Sequence, residues 1–134
     1  NTKYAREFEL RRKRAGHLSS KNRYLAAQML GYLDNDLWLK LATSSNTMAK
    51  QLSAFFESIP YIKLHHQPEA NMIFADMPRK VHQQFFKAGA KYYLRNGGLD
   101  GNEDELITAR FVCSWSTTEE DINAFIVAAQ KVIY

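Results

Sequence analysis

Cysteine occurs once in these 134 residues, which rules out an internal disulfide and fits a reducing, cytoplasmic setting. No apolar run approaches the ~20 residues that a membrane-spanning helix requires, so no membrane partner is expected. The opening residues are polar and charged, unlike a secretory signal peptide. Internal repeats and low-complexity tracts are missing. So are the Gly-x-Ser-x-Gly elbow, the phosphate-binding P-loop, and any Cys–His pair with a third group to orient it. The chain therefore offers no self-contained catalytic centre. His65 and His66 adjoin at a predicted strand end and so point to opposite faces. With no Cys or acidic pair at ligand spacing nearby, no metal site is expected there.

Acidic residues are scarce at the start of the chain. The first 23 residues hold eight Lys or Arg against Glu7 and Glu9, whereas the remainder holds ten against twelve. The net charge of +4 thus belongs to the N-terminal segment. Arg11-Arg12-Lys13-Arg14 admits two readings. One is a phosphate or nucleic-acid contact; the other is a solvated helix face with cations gathered at the negative end of the dipole. The nearly neutral body of the chain favours the second, and no nucleic-acid partner is expected. Length fits one domain. Opening on Asn1 and entering a helical pattern almost at once, the sequence reads as a processed protein or a segment of a longer one, and the second is favoured.

What is present is a change of period. Residues 3–15 have helix-forming composition and stop at Gly16, a natural C-cap. Only Tyr4, Phe8 and Leu10 are large and apolar there, too narrow a stripe for a helix stable alone. Ser19 or Ser20 can N-cap a second helix running through Leu33. Asp34-Asn35-Asp36 then breaks the pattern and opens a long helix over residues 37–58. Its Trp38, Leu41, Met48, Leu52, Phe55 and Ile59 repeat near 3.6 residues. After Pro60 the period becomes two. Strands are predicted over 61–65, 70–76, 91–95 and 106–115, with a helix over 79–88 that turns Val81, Phe85 and Ala88 inward. Thr117 with Glu120 forms a capping box for a last helix, whose Ile122, Phe125, Ile126, Ala129 and Ile133 are its apolar face. The predicted class is α/β: a two-layer sandwich of a small, mostly antiparallel sheet with helices on one face. A helical arm over residues 1–33 precedes it.

Within the strand 106–115, Ile107, Ala109, Phe111, Cys113 and Trp115 form one wholly apolar face. Thr108, Arg110, Val112 and Ser114 form the other. Cys113 falls on the packing side, so a structural role outweighs a reactive one. Arg110 cannot shed its charge, so in a central strand it is paired, solvated or held for an anion. A guanidinium grips a carboxylate with two parallel hydrogen bonds. A structural ion pair with one of the acidic residues explains it equally well on these grounds.

Three blocks go further. The first is Glu7-Phe8-Glu9-Leu10-Arg11-Arg12-Lys13-Arg14-Ala15-Gly16-His17-Leu18, with Ser20-Lys21 and Tyr24-Leu25-Ala26-Ala27-Gln28-Met29. The second is Glu69-Ala70-Asn71-Met72-Ile73-Phe74-Ala75. The third is Arg110-Phe111-Val112-Cys113-Ser114-Trp115 with Thr117-Thr118-Glu119-Glu120-Asp121. In this order the chain resembles the low-specificity L-threonine aldolases of the β-eliminating lyase family. The resemblance implies a pyridoxal 5'-phosphate enzyme of the aspartate-aminotransferase-like fold, of which this would be the C-terminal small domain. It implies a large domain carrying the cofactor lysine just before Glu7, outside this chain. Lys3 lacks the hydroxyl-rich turn expected around that lysine, so the segment alone is expected to be inactive. The resemblance also implies that Arg110 holds the α-carboxylate of a threonine-like amino acid, which the whole enzyme cleaves to glycine and an aldehyde. Another β-eliminating lyase is the same-fold alternative. The family's Gly-rich turn near Gly16 approaches the cofactor phosphate. Here His17-Leu18-Ser19-Ser20-Lys21 stands in its place, and Ser20 and Lys21 become the candidate phosphate contacts. A homo-oligomer is implied for the full-length protein.

Overall fold

A computed structural model of the protein describes residues 1–133. The chain divides into two compact units, Asn1–Trp38 and the residues from Leu39 onward. In the first, a one-turn segment Thr2–Tyr4 leads into α1 (Ala5–Arg14), and α2 (Asn22–Leu33) follows. Helix α1 closes as its sequence requires. Gly16 takes φ +73°, while its N–H reaches Lys13 O and that of His17 reaches Arg12 O. This is a Schellman termination, in which a left-handed residue lets the last carbonyls find donors. Helix α2 begins later than the serines suggest. Its N-cap is Lys21, with no side-chain cap; Ser19 and Ser20 stay in the preceding turn, where Ser19 O accepts from Asn22 N. Asn35 and Asp36 adopt φ +49° and +57°, a conformation that Asn and Asp tolerate best after Gly. That turn separates α2 from α3 (Leu37–Glu57).

The second unit is the predicted sandwich. Strands β1 (Lys63–Leu64), β2 (Met72–Pro78), β3 (Tyr93–Leu94) and β4 (Leu106–Val112) form one antiparallel sheet in the order β1-β2-β4-β3. Ile73, Ala75 and Met77 of β2 and Ile107, Ala109 and Phe111 of β4 turn to one face and are buried. Helices α3, α4 (Arg79–Lys87) and α5 (Glu119–Ile133) supply the other side of that core. Its centre is aromatic: Phe56 lies 4.8 Å from Phe111 and edge-on to Phe125 at 6.0 Å.

Other expectations change: β1 and β3 are shorter than the predicted 61–65 and 91–95. Strand β4 stops at Val112, because hydroxyls capture the chain beyond it: Ser114 N donates to Thr117 Oγ1 and Thr117 N to Ser114 O. Cys113 is still buried, but Trp115 leaves the apolar face and is exposed. The capping box of α5 is Thr118 with Asp121, since Thr118 N donates to Asp121 Oδ2 and Asp121 N to Thr118 Oγ1. Thr117 is already engaged in the turn. Those bonds, led by the Thr118 N–H, hold the Asp121 carboxyl below its ordinary range. On α4, Ala88 is exposed while Arg79 and His82 are buried.

Candidate functional site

Arg110 sits in the middle of β4, with Phe74 opposite it on β2 and Tyr93 opposite it on β3. Its side chain takes the face away from the helices, as the alternation predicts. Its guanidinium stacks over the Tyr93 ring, 4.8 Å from the centroid, a cation–π contact that fixes the plane of the fork. No ion pair involves Arg110 among the described residues. One buried side-chain polar atom among them lacks a hydrogen-bond partner, and it is Arg110 Nε. Leaving such a donor unmet costs about 1–3 kcal/mol, more for a charged group. Natural cores seldom carry that cost without a ligand or strain to explain it. The ion-pair reading of Arg110 thus loses its partner, and the anion reading keeps its donor.

A cleft of about 460 Å³ opens beside β4, past the point where β3 ceases to cover it. Arg110, Tyr92, Tyr93, Phe111 and Ile122 are among its walls. Cys113 also reaches it, but burial raises its thiol pKa, so little nucleophilic thiolate is available. Ser20 and Lys21 belong to the first unit and Arg110 to the second. Both Ser20 and Lys21 are exposed. A hydroxyl and an ammonium at the start of a helix are a donor set suited to a phosphate. Of the basic run, Arg11 pairs with Glu7 at 2.7 Å and Lys13 with Glu9 at 3.1 Å, each one helical turn apart. These pairs belong to a solvated helix face.

Sequence reasoning missed what positions the cleft wall. His82 is fully buried, and its Nε2 lies 2.9 Å from Ile107 O and its Nδ1 2.9 Å from Tyr92 Oη. A carbonyl only accepts, so Nε2 carries the proton and Nδ1 accepts from the tyrosine hydroxyl. The neutral ring thereby ties Tyr92, a cleft residue, to β4. Burial holds His82 below the ordinary imidazole value, with the Arg79 charge adding to the effect, and pushes the Tyr92 hydroxyl far up. A pH dependence follows. The unfolded chain binds a proton at His82 near pH 6.5, while the folded chain resists it. The stability is fully present above that value and is lost as pH falls below it. The slope should reach about 1.4 kcal/mol per pH unit until the folded value is reached. Urea midpoints measured from pH 7 to 5 should show that decline, and His82→Gln should flatten it. Equal slopes would mean another group carries the titration.

A helix-backed antiparallel sheet, with a guanidinium that makes no ion pair among the described residues on its other face, defines an α/β domain. A solved structure of threonine aldolase from Leishmania major has this fold. It matches with a TM-score of 0.66 at 21% identity, over 87% of this chain and 36% of that one. The low-specificity L-threonine aldolase of a Pseudomonas species is 36% identical over 121 residues, 89% of this chain and 32% of its own length. That of Pseudomonas aeruginosa is 33% identical over 124 residues, 91% of this chain and 33% of its own. No family model matches the chain. The chain belongs to the low-specificity L-threonine aldolase family, and it spans about a third of the length of the curated relatives it matches.

Proposed function

We propose that this chain is the C-terminal small domain of a cytoplasmic, pyridoxal-phosphate-dependent aldehyde-lyase that cleaves β-hydroxy-α-amino acids to glycine and an aldehyde. In this reading residues 1–33 are an arm leading from a large domain, and the cofactor is anchored by a lysine outside this chain. The segment alone is inactive, and the whole enzyme works as a homo-oligomer. Both curated relatives carry the threonine aldolase name. The observation that carries the reading is the buried, unpartnered Nε of Arg110 on the open sheet face. A carboxylate placed there accepts from Nε and a terminal nitrogen together, the two-point contact that a planar fork makes best. Tyr93 beneath the guanidinium keeps the fork in one orientation before any ligand arrives, which lowers the ordering cost of binding. The cofactor, when bound, supplies the sink for the electrons of the broken carbon–carbon bond. Arg110 fixes the α-carboxylate, and so decides which bond at Cα lies where it can break. In the first unit, the Ser20 hydroxyl and the Lys21 ammonium would hold the cofactor phosphate.

In the full-length enzyme, Arg110→Ala should lower kcat/KM for threonine by the equivalent of about 2–4 kcal/mol, mostly through KM. Unchanged kinetics would remove the carboxylate assignment. Product analysis separates the chemistry: glycine with an aldehyde supports the reading, whereas pyruvate or another keto acid would assign a β-eliminating lyase instead.

A further inference from the structure

Arg110 has a companion. Arg95 follows β3, and its N–H donates to Thr108 O at 2.9 Å, which continues the β3–β4 pairing by one more residue. Two positions beyond Tyr93, it returns to the same face as Tyr93 and Arg110. Its guanidinium lies over the Phe74 ring, 5.3 Å from the centroid, and Phe74 is the residue opposite Arg110 on the neighbouring strand. Arg95 and Arg110 are therefore diagonal neighbours across β3 and β4. Such pairs sit roughly 7–8 Å apart at the backbone, within reach of long side chains. Each guanidinium rests on an aromatic ring, and neither meets a carboxylate among the described residues. The nearby acid on this face is Asp76, and it is occupied. Its Oδ1 accepts from Thr108 Oγ1 at 2.6 Å and from His65 Nε2 at 2.8 Å. Two like charges on adjacent strands repel, and Arg95 is exposed, with the Phe74 ring as its platform.

We propose that Arg95 and Arg110 form a paired-guanidinium site, in which Arg110 takes the α-carboxylate and Arg95 a second carboxylate on the side chain of the ligand. The inference rests on the reading of Arg110 given above and narrows it: the β-hydroxy-α-amino acids best suited to this chain are those whose side chain carries a carboxylate. The two aromatic platforms hold both forks in place, so one dianion meets two preset partners. The second contact then forms at high effective concentration.

The Nε–H of Arg110 is buried and gives a nitrogen–proton NMR signal that reports its own occupation. Acetate and succinate are titrated into the 134-residue chain at constant ionic strength. Succinate should shift that signal at roughly a tenfold lower concentration than acetate. In Arg95→Gln, succinate should fall to the acetate value while acetate is unchanged. Lys63→Gln removes a cation from the same face, opposite Asp76, and should leave the preference intact. Equal potency of the two anions, survival of the preference in Arg95→Gln, or its loss in Lys63→Gln would overturn the pairing while leaving the Arg110 clamp standing. No shift of the Arg110 signal with either anion would overturn the clamp itself, and the pairing with it.

Discussion

Arg79→Met should destabilise the chain by about 3 kcal/mol, read as a fall in the urea midpoint of the near-ultraviolet aromatic signal. Arg79 opens α4, yet it is 4% exposed. Its Nε donates to Gly98 O at 3.0 Å and its Nη1 to Asn102 O at 2.6 Å, while Nη2 meets Glu105 Oε2 at 2.8 Å. One buried side chain thus holds both arms of the β3–β4 connection. Gly101 sits at φ +125°, where a Cβ would lie 2.6 Å from Arg79 Nη1. That glycine is there because the guanidinium is. The carbonyls matter more than the ion pair, since Glu105 is half exposed and water can replace its partner. Glu105→Gln should consequently cost below about 1 kcal/mol. Arg79→Lys, which keeps the charge but loses the fork, should recover less than half of the loss. If Glu105→Gln proved as damaging as Arg79→Met, the ion pair and not the carbonyls would be what holds the loop.

The second large effect belongs to the core. Phe56→Ala should cost about 3–5 kcal/mol, because Phe56 is fully buried and touches rings from β4 and α5. Its neighbour Phe55 is only partly buried, so Phe55→Ala should cost about 1 kcal/mol or less. The contrast is the test: similar losses would mean that α3 packs with a different face inward. Phe111, which stacks on Phe56, precedes Val112 and follows Arg110. A cavity at Phe56 therefore lies one residue from the candidate site.

Phe55 and Phe56 also mark where periodicity misleads. A spacing near 3.6 selects a stripe only to within a residue: of Trp38, Leu41, Met48, Leu52, Phe55 and Ile59, Leu52 and Ile59 are buried, Leu41, Met48 and Phe55 are partly buried, and Trp38 is exposed. The buried set is Ser45, Ala49, Leu52, Ser53 and Phe56. Three of the five are small, and neither serine carries a hydrophobic signal. Ser45 Oγ and Ser53 Oγ donate to carbonyls of their own helix, so their polarity is met without a tertiary partner. Arg79, His82 and Phe85 recur at three-residue steps, and that spacing was the available sign that one face of α4 is buried. Charge concealed it, since Arg and His are ordinarily read outward.

The element order, the antiparallel sheet with helices on one face, and the exit of Arg110 on the opposite face were all legible in the chain. Local chemistry decides them: an alternation of two against 3.6, a glycine able to take positive φ, a turn of Asp and Asn. Long-range pairing decided the rest. Arg110 as an ion pair and Arg110 as an anion holder differ only in whether a carboxylate folds back onto it, and that depends on residues far away in sequence. Strand register placed Phe74 and Tyr93 beside it and Arg95 one row away, while Asp76 was taken by Thr108 and His65. Sequence by itself determined that a guanidinium would stand on the open face. Only the tertiary structure decided that it stands there unpaired, because partners are chosen by proximity in space, which no local pattern encodes.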